Sequence, residues 1–274
     1  MFTLQNMAVS EYTSNHTVNN LSKVAGKVAI VTGGASGIGE ATARLFADHG
    51  ARMVVIADIQ DELGNMVAAS IGANRCSYVH CDVADEDQVK HLVESTVNIY
   101  GRVDIMFSNA GVASPSDQTI LDLNFNEMDS LFAVNVRGMA ACLKHAARAM
   151  LEKGVKGSIV CTSSVAGSHG RPKGTDYCMS KHAVVGLMRA ASVQLAARGI
   201  RVNSVSPNGT VTPLAIKASG MSEGNLKERF RKYARLEGVD LTPKHVAEAV
   251  LFLASGDSEF ITGHDLKVDG GFIG

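Results

Sequence analysis

Residues 28–39 read VAIVTGGASGIG, a β-branched apolar run that breaks into glycines and then into a helical pattern. Val28–Val31, with Lys27 before it, is apolar on both faces, as a strand buried in a parallel sheet must be. From Gly37 to Asp48 the apolar positions Ile38, Ala41, Leu45 and Phe46 recur at helical spacing. Between strand and helix, Gly33, Gly37 and Gly39 sit where the chain must turn sharply and bring its backbone close to a ligand. Without Cβ atoms they can take positive φ and admit a pyrophosphate at the helix N-terminus. Free N–H groups and the helix dipole favour the negative charge there. The spacing is G-x-x-x-G-x-G, not the commoner G-x-G-x-x-G. A glycine-rich turn without a ligand is the alternative.

The same alternation runs outward to the end of the chain. Strand-like segments are expected at 53–57, 77–80, 105–108, 158–161, 201–206 and 265–268. Helical patterns are expected at 61–71, 86–100, 126–153, 175–198 and 243–253. Apolar strands separated by helices define an α/β fold, a doubly wound Rossmann-like parallel sheet with helices on both faces. Residues 23–274 read as one domain, with no internal linker. The least regular stretch, 208–237, reads as a mobile loop holding one or two short helices. Residues 1–22 are polar and aperiodic and read as a disordered extension; a transit peptide is the alternative.

Composition removes several function classes. Among 274 residues, Lys plus Arg number 26 and Asp plus Glu 27, a formal net charge of −1. No excess positive field exists to capture nucleic acid or an anionic membrane. No apolar run approaches the roughly 20 residues of a spanning helix. The five cysteines, Cys76, Cys81, Cys142, Cys161 and Cys178, form no CxxC pair. Neither a disulfide framework nor a metal site is expected, and a reducing, cytoplasmic location fits, with a plastid if 1–22 target one.

Asp58 ends the second strand, 19 residues after Gly39, where a carboxylate can bind ribose hydroxyls and repel a 2′-phosphate. Ser36, before the second glycine, supplies no cation to offset that repulsion. Both point to NAD over NADP. A capping role at the next helix is the alternative for Asp58.

Tyr177 and Lys181 stand four apart, so on a helix they share a face. A phenol, with a pKa of about 10, is a poor base at neutral pH. A neighbouring ammonium can lower such a pKa by roughly one to three units, which makes a base able to take an alcohol proton. Alone, the YxxxK spacing is weak, and a surface Tyr with a solvated Lys would explain it.

Taken together, TGGASGIG at 32–39, CDV at 81–83, SNAG at 108–111, Asn135 in AVNVRG, Ser164 in TSSVAG, YCMSK at 177–181 and NSVSPNGTVTP at 203–213 resemble the classical short-chain dehydrogenase/reductase family. The resemblance runs from about Ala25 to Phe272. It implies a single Rossmann-like domain that assembles as a dimer or tetramer. It further implies that Ser164 hydrogen-bonds the substrate oxygen, with Ser163 the alternative. Tyr177 would be the general acid/base. Lys181 would hold the nicotinamide ribose and assist the tyrosine, and Asn135 would anchor a water beside Lys181 unless it lies on a solvated face. Around the cofactor, the family's positions fall on Gly33, Ser36, Gly37, Ile38, Gly39 and Asp58. Asp82 and Val83 would meet the adenine, Asn109 and Gly111 the adenosine ribose, and Thr210 and Thr212 the carboxamide and phosphates. One departure is Pro207-Asn208, where the family has Pro-Gly. Asn tolerates positive φ better than other non-glycine residues.

The expected pocket walls are 112–116, 165–176 and 211–236, including Val112, Ala113, Val165, Ala166, Pro172, Leu214, Ile216 and Met221. They imply a neutral apolar alcohol or ketone, with Arg171 and Lys173 read as solvated loop charges. VAGKVAIVTGGASGIGEATARLF, CSYVHCDV and FITGHDLKVDGGF resemble the plant secondary-metabolism branch, which includes secoisolariciresinol, xanthoxin, isopiperitenol and borneol dehydrogenases. The expected reaction is NAD-dependent oxidation of a secondary terpenoid alcohol, borneol to camphor as the leading candidate. Alternatives are another plant metabolite, ketone reduction with NADPH, and a catalytically silent dinucleotide-binding protein. Finally, Met139, Ala140, Leu143, Val184, Leu187, Met188 and Ala191 exceed one apolar stripe on their helices. With the apolar segment 263–274, they imply a homotetramer.

Overall fold

Val28–Thr32 forms β1, buried along its whole length at the centre of a seven-stranded parallel sheet. A computed structural model of the chain describes residues 22–272, so residues 1–21 and the last two lie outside the description. The expected disordered extension falls almost wholly on those residues. Strand β1 leads through the glycine turn into α1 (Gly37–Asp48), then β2 (Met53–Asp58), α2 (Asp61–Ile71), β3 (Cys76–His80) and α3 (Glu86–Tyr100). The second half runs β4 (Ile105–Ser108), α4 (Phe125–Phe132), a π-turn (Ala133–Gly138), α5 (Met139–Glu152), β5 (Ser158–Thr162) and α6 (Thr175–Ala196). It closes with β6 (Arg201–Pro207), α7 (Pro213–Ser219), α8 (Glu223–Arg231), α9 (Pro243–Ala254) and β7 (Asp265–Val268).

The strand order is β3-β2-β1-β4-β5-β6-β7, so the order reverses between β1 and β4. Ligands bind outside the carboxyl ends of the strands at such a switch point. Pleating sends alternate residues to opposite faces. Ala29, Val31, Val54, Ile56 and Phe107 face α1, α2 and α9. Ile30, Val55, Ala57, Met106 and Ile159 face α3, α5 and α6. Two cores therefore sandwich one sheet, which fixes the carboxyl edge as a rigid platform.

Several expectations need correction. The helix expected over 126–153 is three segments, because the π-turn over Ala133–Gly138 interrupts it. The helix expected to reach Arg198 ends at Ala196. The irregular stretch 208–237 does hold two short helices, α7 and α8. Of the apolar residues read as surplus, Met139, Leu143, Val184 and Met188 are buried in the chain's own core. They reach it because α5 and α6 pack on the sheet and on each other. Ala140, Leu187 and Ala191 stay half-buried, and Val193 is 81% exposed.

Candidate active site

The glycine turn has the backbone conformation that a phosphate cradle needs. Gly33 and Gly37 take φ of +66° and +57°, which side-chain-bearing residues rarely adopt. Gly39 is needed for contact instead: a Cβ there would lie 2.0 Å from the Gly33 carbonyl oxygen. Ser36 is the N-cap of α1 but makes no side-chain capping bond. The first-turn N–H groups of Gly37 and Ile38 therefore have no intrahelical partner. Thr212 approaches from the far side, its Cγ2 only 3.3 Å from where a Gly37 Cβ would stand. These features fit a dinucleotide pyrophosphate.

Asp58 is 7% exposed. Its Oδ2 accepts the Ala35 N–H at 3.1 Å, and its Oδ1 accepts from Gln60 N and Nε2 at 3.1 Å each. Gln60, not Asp58, is the N-cap of α2. The carboxylate thus braces the glycine turn from β2. Asp82 forms a turn of its own, accepting the Ala84 N–H at 2.9 Å. Val83 beside it is buried, and Gly138 packs so closely that a Cβ would meet the Val83 side chain at 2.8 Å.

Asn109 stitches three strand ends together. Its Nδ2 donates to the Thr32 carbonyl at 3.0 Å, and its Oδ1 accepts from Thr162 Oγ1 at 3.0 Å. Thr32 Oγ1 in turn accepts the N–H groups of Asn109 and Ala110. Gly111 leaves room for two other site residues. A Cβ there would stand 3.1 Å from Asn135 Oδ1 and 3.7 Å from Lys181 Nζ.

Asn135 is wholly buried inside the π-turn, so the solvated-face alternative falls. Lys181 is 4% exposed and donates from Nζ to the Thr162 carbonyl at 3.0 Å. That Nζ lies 5.5 Å from the Tyr177 ring centroid. The pair therefore shares a face of α6, as its spacing predicts. Ser163 Oγ is buried and donates to the Lys181 carbonyl at 3.1 Å. Ser164 is half-buried, and its Oγ accepts the Ala166 N–H at 3.2 Å, which leaves its proton free for another acceptor.

Asn208 makes use of a side chain that glycine would lack. Its N–H joins the Val268 carbonyl, and its Nδ2 reaches the Tyr233 and Asp269 carbonyls at 3.3 and 3.4 Å. Its side chain thereby ties the loop after β6 to the end of β7. Thr210 Oγ1 donates to the Asn208 carbonyl at 3.0 Å, and Thr212 Oγ1 caps α7 through Ala215 N.

The expected pocket walls mix buried and exposed residues: Val165, Ala166 and Asp176 are buried, and Val112 and Leu214 are exposed. A cavity of about 370 Å³ lies between α8, segment 234–241 and the end of β7, and takes in part of the expected wall 211–236. Val211, Phe230, Leu236, Val239 and Val268 line it, and none of Ser164, Tyr177 or Lys181 does. Lys173 forms an exposed ion pair with Asp117 at 2.9 Å, as a solvated charge would. Arg171 is exposed as well, and its guanidinium carbon lies 5.7 Å from the Tyr177 ring centroid.

Thiol chemistry has no support at the core positions. Burial pushes the Cys81, Cys142 and Cys161 thiols up to about 12 and Cys76 up to about 11, so none is a thiolate at neutral pH. Among the described residues no group of three His, Cys, Asp or Glu side chains is placed to hold a metal ion. No helix among them is long and apolar enough to cross a membrane.

The sequence motifs assign no role to Thr32, Thr162 or Gln118, while Ser114 and Asp176 fall in the expected wall segments 112–116 and 165–176 without a role of their own. Their contacts join segments far apart in sequence, so no local pattern marks them.

Comparison with known proteins agrees with this geometry. The family model described as enoyl-(acyl carrier protein) reductase matches residues 33–273. The chain is 56% identical over 251 residues to (+)-cis,trans-nepetalactol synthase NEPS1 of Nepeta racemosa, covering 92% of each chain. It is 56% identical over 252 residues to mitochondrial (−)-isopiperitenol/(−)-carveol dehydrogenase of Mentha piperita, covering 92% of this chain and 95% of that one. A solved short-chain type dehydrogenase/reductase from Mycobacterium marinum superposes with a TM-score of 0.83 at 33% identity, covering 90% of this chain and 96% of that one. The chain belongs to the short-chain dehydrogenase/reductase family of oxidoreductases, whose members use a nicotinamide dinucleotide.

Proposed function

We propose that the protein oxidises a neutral, apolar secondary alcohol of terpenoid type to its ketone, with NAD as cofactor and borneol as the leading substrate. The observation that carries the reading is the placement of Lys181 Nζ between the Thr162 carbonyl and the Tyr177 ring, with the proton of the Ser164 hydroxyl left free just after β5. The bound dinucleotide would supply the hydride acceptor for the carbinol carbon. Tyr177 Oη takes the hydroxyl proton, so a secondary alcohol becomes a ketone and one proton leaves through the chain. Ser164 Oγ donates to the substrate oxygen and holds it against the phenol. Lys181 supports the negative charge that forms on the phenol oxygen. Gly33, Ser36, Gly37, Ile38 and Gly39 hold the pyrophosphate, with Thr210 and Thr212 closing over it. Asp58 takes the adenosine ribose, Asp82 and Val83 the adenine, and Asn109 and Gly111 the adjoining wall.

The mint relative's printed activity, on isopiperitenol and carveol, supports a cyclic terpenoid alcohol. A second reading is favoured by the equal identity to a nepetalactol synthase, and makes the substrate an iridoid instead. The assembly proposed is a homotetramer, supported by Val193, 81% exposed on α6, and by the edge strand β7. The proposed location is the cytoplasm, in keeping with five cysteines that form no disulfide framework; a plastid follows if 1–22 act as a transit peptide. Incubation with borneol and NAD tests the reading: camphor and NADH should appear in equal amounts. Given an isomeric open-chain precursor instead, nepetalactol formation without NAD reduction would favour the second reading.

A further inference from the structure

Asp176 precedes Tyr177, is 0% exposed, and takes no part in the steps above. Its Oδ1 accepts the Ser114 hydroxyl at 2.5 Å and the Tyr177 backbone N–H at 2.8 Å. Its Oδ2 is shielded from solvent and has no hydrogen-bond partner among the described residues. A buried carboxylate oxygen left unpaired is costly. A side chain whose task was to fill space there would be apolar, so the use of Asp176 lies in what Oδ1 holds.

What it holds is the wall of the site. Ser114 lies in the segment that follows β4, between Val112 and Gln118. Four residues further on, Gln118 makes a second tie. It is 3% exposed, and its carbonyl accepts the N–H groups of Gly174 and Thr175 at 2.8 and 3.4 Å. Its side chain is spent on the Asn124 N–H and on Glu127. Segment 114–118 is thus fastened at two points to the first turn of α6, the turn that carries Tyr177. The closeness requires Gly174, which takes φ of +73° and whose Cβ would stand 3.2 Å from Ser114 Oγ. Gly174 has no side chain with which to cap α6. The Asp176 carboxylate supplies the missing acceptor for the Tyr177 N–H, and its charge suits a helix N-terminus.

We propose that Asp176 is a positioning residue that locks pocket wall 112–116 to Tyr177 through Ser114, so that the alcohol meets the phenol in one orientation. The proposal rests on the dehydrogenase reading above. Its test uses Asp176→Ala, Asp176→Asn, Ser114→Ala and the Asp176→Ala/Ser114→Ala double variant of the full chain. Asp176→Ala should lower kcat/KM for the alcohol about tenfold, mainly through KM, and leave NAD binding unchanged. Ser114→Ala should lose a similar factor, and the double variant should be no worse than Asp176→Ala alone. Asp176→Asn keeps an oxygen for both donors and should recover most of the activity. Hydrogen exchange without substrate should quicken in peptides covering 112–118 in both Ala variants and stay the same in sheet peptides.

Losses that simply multiply in the double variant would overturn the proposal. So would an Asn variant as poor as Ala, or unchanged exchange at 112–118. A wild-type protein that oxidises no alcohol would overturn the function reading, and the exchange data would then still decide whether Asp176 fastens the wall.

Discussion

Asn135 and Val112 exchange two hydrogen bonds: the Asn135 carboxamide oxygen accepts the Val112 N–H at 2.8 Å, and its Nδ2 donates to the Val112 carbonyl at 2.9 Å. The same Nδ2 reaches Ser180 Oγ at 3.2 Å, one residue before Lys181. One side chain therefore joins the π-turn, the segment after β4 and the catalytic face of α6. A widened turn at a functional site is a recurrent use of π geometry. Asn135→Ala should cost about 2 kcal/mol of stability, because both Val112 backbone groups lose their partner. Denaturant titration measures this, and unchanged stability would show that the bracket carries no weight.

Asp58 should make NAD the preferred cofactor by at least about tenfold in kcat/KM, or about 1.4 kcal/mol. Asp58→Ala should narrow the gap. It should also weaken NAD itself, since Oδ2 braces the Ala35 N–H in the glycine turn. The informative quantity is the ratio of the two cofactors in each protein; equal use of both by the wild type would contradict the assignment.

Tyr177→Phe removes the proton acceptor and leaves the ring in place. Alcohol oxidation should fall by at least about 100-fold while NAD affinity holds. Fluorescence titration of the cofactor beside steady-state rates separates the two effects. Near-normal turnover in the NAD-binding variant would remove Tyr177 from its role.

Light scattering at micromolar concentration should return about 115 kDa, four times the 28.8 kDa chain. A mass of one chain would refute the assembly, and a mass of two would leave a dimer.

Much of the fold was legible because parallel strands buried on both faces read as continuous apolar runs. The limits of α1, α2, α3, β4 and β7 follow the sequence patterns residue for residue. The π-turn was not legible. It shifts the apolar spacing little, and it is held by Asn135 bonds to Val112 and Ser180, 23 and 45 residues away. The apolar count on α5 and α6 misled for a related reason. Periodicity shows that Val184 and Met188 are apolar, but which neighbours cover them depends on how the two helices meet. At the site, Tyr177 and Lys181 share one helix at a spacing that the other motifs of the chain make meaningful. Asp176 does not, since its partner Ser114 is 62 residues away.

The central claim is that the Tyr177–Lys181 pair serves NAD-linked oxidation of a neutral terpenoid alcohol. The most direct measurement follows NADH absorbance with the purified wild-type protein, offering NAD and NADP in turn with borneol, isopiperitenol, carveol and nepetalactol. The account predicts a strong signal with NAD and a cyclic monoterpenol, borneol foremost, and a much weaker one with NADP. No NADH from any of these alcohols, in protein shown to bind NAD, would contradict it.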